Sequence, residues 1–166
     1  VVERNKKIID GFELDFNRVQ VFFPKDKAAN GKVLMTDFVR KVRKKLDQLA
    51  KEQHHPYYLF VRIPPSSESC EWAGLDINTW MKEGLVDVIS PAQLMTLAQD
   101  MPIAKMIKTA KKYQVKVYPS IYPRTSNRVA LIPSDSTLGL ENKIDRTATL
   151  AETLAAAANY EYMGAD

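Results

Sequence analysis

Two hydrophobic periods alternate along the chain. Short runs repeat with a period of two, and longer stretches place apolar residues every three or four positions, the signatures of strands and amphipathic helices. Gly11-Phe12-Glu13-Leu14-Asp15-Phe16 shows the first period most clearly. Phe12, Leu14 and Phe16 fall on one face, for packing, while Glu13 and Asp15 point together to the other. Two carboxylates on one face of a buried strand are costly unless they are paired, hydrogen-bonded or used.

Three more strands are predicted at Tyr57 to Ile63, Leu85 to Ser90 and Val115 to Ile121, the first two stopped by prolines. Between them the helical period predicts a helix tail over Val1 to Ile9, a long helix from Thr36 to Gln53, and a helix from Met101 to Tyr113. A last, alanine-rich helix covers Thr149 to Met163. A short helix runs to Glu83, with Asp76 as its N-cap and Gly84 at its C-terminal stop. Residues 17–33, 64–75 and 122–147 read as connections.

Strands separated by helices imply parallel βαβ units, hence an α/β fold in a single domain over residues 1–166. The nearly all-apolar Leu85 to Ile89 is expected to be covered on both sides. The first strand follows only ten residues, and Gly164-Ala165-Asp166 stands where the alternation calls for another strand. A complete (β/α)₈ barrel takes about 250 residues. The expectation is therefore a partial (β/α)₈ TIM barrel, about strands 4 to 7 with flanking helices, clipped at both ends. Such a piece alone is expected to be inactive, because a barrel site is assembled from several strand ends.

Composition narrows the chemistry. The chain has 166 residues, 45% hydrophobic and 27% charged, with a net charge of +4, as in a folded globular domain. Its densest basic run, Arg40 to Lys45, shares a helix with Phe38, Val39, Val42, Leu46 and Leu49 and reads as the wet face of that helix. Cys70 is the sole cysteine, placed in a polar loop as an incidental thiol, and His54 and His55 precede Pro56 at a helix end. These leave no expected zinc site or other metal site. No apolar run approaches the ~18 residues of a membrane span. No Gly-rich phosphate loop or helix-turn-helix is present, so neither a cofactor nor a nucleic-acid partner is expected.

Function in parallel α/β folds gathers at the carboxyl ends of strands. Those ends carry Glu13, Asp15, Asn17 and Arg18, then Arg62, then Ser90, and finally Tyr118, Ser120 and Tyr122. Arg62, between Val61 and Ile63, needs an acidic partner, and Glu13 or Asp15 on the neighbouring strand supplies one. It serves either as a buried ion-pair strut or as a group orienting a catalytic carboxylate or substrate. Acids, arginines and loop aromatics together suit a carbohydrate. Phe22, Phe23 and Trp72 are candidate stacking platforms, with the alternative that the two phenylalanines pin their loop. Glu13 and Asp15 suit an acid and its electrostatic tuner better than an acid and nucleophile on opposite sides of a sugar.

The stretch Asp10 to Arg18, followed by Phe22-Phe23-Pro24, resembles the Asp-Gly-x-Glu-Leu-Asp-Phe-x-Arg signature of bacterial glycosyl-hydrolase-like (family-10-like) barrel proteins, common in Bacteroidetes and Planctomycetes. The similarity continues through Val61 to Pro64, Gly74-Leu75-Asp76, Trp80, Glu83 to Asp87, and Ala156 to Asp166. It implies the C-terminal half of a (β/α)₈ barrel and hydrolysis of O-glycosidic bonds in a poly- or oligosaccharide. Glu13 and Asp15 become the implied catalytic acids. Arg18 and Arg62 become positioning groups, and Phe22, Trp72, Tyr118 and Tyr122 candidate substrate contacts. An extracellular or periplasmic location is also implied. One departure stands out: Pro119 to Pro123 carries no acid where such barrels often place a nucleophilic Glu. The alternatives are a carbohydrate-binding barrel without catalysis, or a half-barrel that self-associates, as a homodimer, through its open edges.

Overall fold

The computed structural model describes residues 2–18, 21–126 and 145–166. Their elements run α1 (Val2–Asn5), β1 (Gly11–Asp15), a 3₁₀ turn (Lys25–Lys27), α2 (Ala28–Gln53), β2 (Tyr58–Ile63), α3 (Ser67–Trp72), α4 (Ile77–Lys82) and β3 (Val88–Pro91). Then come α5 (Ala104–Lys112), β4 (Lys116–Val117), β5 (Arg124–Ser126), β6 (Asp145–Thr147) and α6 (Leu150–Tyr162).

Strands β1 to β4 form one parallel sheet in sequence order, and β5 and β6 pair antiparallel as a separate ribbon. Parallel neighbours need crossovers, and here the crossovers are helical. The predicted α/β class and parallel βαβ units are therefore present. Four strands in sequence order are compatible with part of a barrel, and equally with other partial α/β folds.

One face of the sheet holds the core. Leu59, Val61 and Ile63 of β2, Ile89 of β3 and Val117 of β4 are each 0% exposed and pack with Val39, Leu46 and Leu49 of α2, Trp80 of α4 and Met106, Ile107 and Ala110 of α5. The phenylalanine side of β1 joins them, Phe16 fully and Phe12 and Leu14 in part, as its period of two predicts. The Trp80 indole N–H donates to Thr36 Oγ1 at 2.9 Å, so the largest core side chain carries no unpaired polar atom.

The opposite face is uncovered at β1, β2 and β4. Tyr58 is 46% and Tyr118 47% exposed, and Glu13, Asp15 and Lys116 are exposed beside them. The expected cover on both sides of the third strand is nonetheless approached locally, since Val88 is buried as well as Ile89.

Two helix ends meet the sheet through one repeated device. Gly84 (φ 64°) and Gly164 (φ 92°) leave α4 and α6 in the left-handed conformation that glycine tolerates. An aspartate follows each. Asp87 donates its N–H to the Leu59 carbonyl at 2.9 Å and accepts the Leu59 N–H on Oδ2 at 2.7 Å. Asp166 does the same at Val117, at 3.0 Å in both directions.

Several sequence expectations shift. The long helix begins at Ala28, inside the stretch read as loop, because Gly31 does not break it. A Cβ at Gly31 would stand 2.3 Å from the Phe23 ring, so the glycine is there for close packing. The stretch 64–75 contains α3, started by a capping box between Ser66 and Ser69. Cys70 lies on that helix, 1% exposed, not in a polar loop. Within the basic run, Arg43 is not on the wet face. It reaches under the sheet to Asp87 Oδ2 and the Tyr57 carbonyl, both at 2.8 Å, and its Nε stands 2.8 Å from Asp47 by charge attraction rather than as a hydrogen bond. The fourth strand pairs over Lys116–Val117 alone. Most of the connection 122–147 lies outside the described residues; its two ends are β5 and β6.

Candidate functional site

The carboxyl ends of β1 to β3 line up through the parallel register. Asp15 is opposite Arg62, and Arg62 is opposite Ser90. Register partners point to the same face, so all three project onto the uncovered side. The guanidinium forks onto the carboxylate, Nε to Oδ1 at 3.0 Å and one terminal nitrogen to Oδ2 at 2.7 Å. This is the bidentate geometry that makes Arg–carboxylate pairs strong and directional. The arginine's predicted need for an acid is met by Asp15 and not by Glu13.

The electrostatics of Asp15 follow from its contacts. Partial burial pushes the carboxyl up. Hydrogen bonds from Arg62, and from the backbone N–H groups of Asn17 (2.9 Å to Oδ1) and Arg18, outweigh that push and hold it below its ordinary value. Asp15 is therefore an ionised strut at neutral pH, unsuited to donate a proton. Glu13 lies two residues earlier on the same face, exposed, and forms no hydrogen bond or ion pair with the described residues.

The row extends to β4. Ser90 Oγ and Ser120 Oγ are 2.8 Å apart, and the Ser120 N–H donates to the Pro91 carbonyl at 2.9 Å. One layer closer to the amino ends, Glu13 is opposite Phe60 and Phe60 opposite Val88. The uncovered face thus carries a polar row from Asp15 through Arg62 to Ser90 and Ser120, above a row with Phe60 at its centre. Tyr118 stands on the same face at its β4 side.

Other predicted site residues lie apart from this row. Arg18 contributes its backbone N–H to Asp15, and the residue itself is exposed. Phe22 is half-buried, with its ring edge-on to Phe16 at 5.8 Å between centroids. Phe23 is wedged between Gly31 and Gly74. Both phenylalanines therefore hold the loop after β1. Trp72 is 53% exposed at the end of α3, and Tyr122 is half-buried beyond β4; among the described residues no hydrogen bond or ring contact joins either to the row. Glu71, on α3, pairs with Lys32 at 3.8 Å.

Two of the cavities among the described residues can be set against this row. One of about 450 Å³ opens on the uncovered face toward the amino ends of the strands, lined by Tyr58, Phe60, Val88, Lys116 and Tyr118 among others. It takes in Phe60, one layer below the polar row, and Tyr118, but neither Glu13 nor Asp15. The other, about 320 Å³, is apolar and bounded by Phe16, Phe23, Leu34, Met35 and Phe38. No helix of the described residues is long and apolar enough to cross a membrane.

The hydroxyl pair was not singled out by sequence. Ser90 precedes Pro91 and Ser120 follows Pro119, a mark of strand ends. Their meeting depends on the β3–β4 register, which no local pattern encodes. No family model matches the chain, and no curated protein matches it.

Proposed function

We propose that the uncovered face of this sheet belongs to a carbohydrate-processing site, and that Glu13 is the proton donor in hydrolysis of an O-glycosidic bond. The observation that carries this reading is the contrast between two acids on one strand. Asp15 is tied to Arg62 and backbone N–H groups, while Glu13 stands beside it without a described partner. In glycosidic cleavage a carboxylic acid gives its proton to the leaving oxygen while water adds to the anomeric carbon. Glu13 is placed to give that proton, with the Asp15–Arg62 pair holding the adjacent field constant. A second carboxylate is also needed: at ~6.5–9.5 Å it takes the proton of the attacking water, with inversion, and at ~5–5.5 Å it attacks the anomeric carbon itself, with retention, the first residue later deprotonating water. Asp15, with both oxygens committed to Arg62, is a poor choice for that role.

That commitment favours a second reading, a sugar-binding face without hydrolysis. Turnover of a panel of polysaccharides by the protein separates the two. Under the first reading Glu13→Gln lowers turnover about 10²- to 10⁴-fold, the usual weight of general acid catalysis. Unchanged turnover in that variant removes Glu13 from the chemistry. Glycans that bind but are never cleaved by the parent protein establish the second reading.

A further inference from the structure

We propose that Arg62, Ser90 and Ser120 form a hydroxyl-reading subsite for a neutral sugar ring, beside Glu13 on the uncovered face. This deepens the carbohydrate reading above and rests on it.

The donors come first. A guanidinium has five N–H groups in a fixed fork. Arg62 uses its Nε and one terminal nitrogen on Asp15, and its other terminal nitrogen has no hydrogen-bond partner among the described residues. The side chain is 30% exposed, so that amino group is open to a ligand. Ser90 and Ser120 share one hydrogen bond between their hydroxyls. Two hydroxyls bring two protons, and the shared bond uses one. The other proton and the remaining lone pairs are left as a mixed donor and acceptor, the complement of a sugar's own hydroxyls.

Charge then selects the ligand. The carboxylate of Asp15 offsets the guanidinium, so the fork offers no net positive charge. Lys116, at the far side of the face, is held by Asp166 at 2.6 Å. A uronate or sulfated sugar would find both nearby cations already paired with carboxylates. A neutral ring meets directional donors and acceptors and no opposing charge. Shape agrees, because Phe60 lies in the next layer of the same face and Tyr118 borders it. A pyranose could set its hydroxyl edge on the polar row and an apolar C–H face on these rings.

The test is titration of the protein with cellohexaose, xylohexaose and mannohexaose, against hexagalacturonic acid as the anionic probe, followed by NMR of the Arg62 Nε–H and the serine amides. At least one neutral probe is expected to shift these signals, and hexagalacturonic acid to bind at least tenfold more weakly. Ser90→Ala and Ser120→Ala each weaken the neutral probe by up to about tenfold, the loss of one ligand hydrogen bond. Arg62→Lys, which keeps the charge but not the fork, does the same. Unchanged melting curves for both serine variants show that the fold is retained. Binding of a neutral probe that neither serine variant alters overturns the subsite but leaves the carbohydrate reading standing. Preference for hexagalacturonic acid overturns the proposed neutrality. Failure of every neutral probe to shift the row overturns the subsite and the reading beneath it together.

Discussion

Asp15 and Arg62 are register partners on neighbouring parallel strands, and their side chains close a two-bond fork on the uncovered face of the sheet. Burial pushes the Asp15 carboxyl up, and the fork with two backbone N–H groups more than reverses that push. A carboxyl whose folded pKa is depressed contributes stability above its unfolded pKa and loses it as pH falls through the folded value. Acidification below about pH 4 should therefore release the fork. Carboxyl-carbon NMR should find Asp15 titrating below an ordinary aspartate, and Arg62→Met should return it upward. An Asp15 midpoint unchanged by Arg62→Met would show that the fork does not set its ionisation.

Gly31 gives a test of the α2 start. Alanine is intrinsically a better helix former than glycine by about 1 kcal/mol. At this position its Cβ would lie 2.3 to 2.6 Å from three atoms of the Phe23 ring. Gly31→Ala should therefore lower the melting temperature and free the loop after β1. Gly31→Ala combined with Phe23→Ala should recover part of that loss if the clash is its cause. A higher melting temperature for the single variant would contradict the packing argument.

Cys70 should be chemically silent. Its thiol is buried, with Sγ 3.6 Å from the Pro64 carbonyl oxygen, and burial pushes its pKa up to about 12. Thiolate is the reacting form. Ellman's reagent should label it only after denaturation, and labelling of the native protein within minutes would show that α3 opens readily.

The N-terminus of α6 should respond to acid. Glu152 accepts from the backbone N–H and side-chain hydroxyl of Thr149, at 2.9 and 2.8 Å, and from Arg146 Nη1 at 2.8 Å. Arg146 is the leading cause that lowers its pKa to about 2, with Thr149 behind it. The sign is again that of a depressed carboxyl, so the capping box is complete above about pH 4.5 and is lost as pH falls toward 2. Amide exchange at the start of α6 should accelerate across that window. Glu152→Gln should abolish the dependence while retaining partial capping. A pH-independent exchange rate in the parent protein would refute it.

The sequence made the sheet legible where its signals were local. Alternation in β1 separates Phe12, Leu14 and Phe16 from Glu13 and Asp15, and the core lies on the phenylalanine side. Asp76 caps the helix it was expected to cap, by accepting from the Thr79 backbone N–H, while Thr149, read as the first residue of the last helix, is its N-cap. Misreadings arose where a residue type had a tertiary reason. Gly31 reads as a helix breaker until Phe23 is seen against it, and Arg43 reads as solvated until Asp87 is found beneath the sheet. At the candidate site, the sequence paired Arg62 with an acid but did not choose between Glu13 and Asp15. The β1–β2 register makes that choice. The Ser90–Ser120 pair required two strands with no shared local signal to be placed side by side.

Asp87 and Asp166 have a consequence beyond their own joints. A slip of one residue in a strand exchanges its two faces, which here would send Arg62 into the core and bring Val61 or Ile63 outward. Each aspartate engages both the N–H and the C=O of a single residue, Leu59 or Val117. After a one-residue shift the aspartate would meet a residue whose N–H and C=O point to the other side of the strand, and both bonds would be lost. The aspartates thus act as alignment pins on the sheet, and the order of side chains across its uncovered face depends on residues set at the opposite end of the strands.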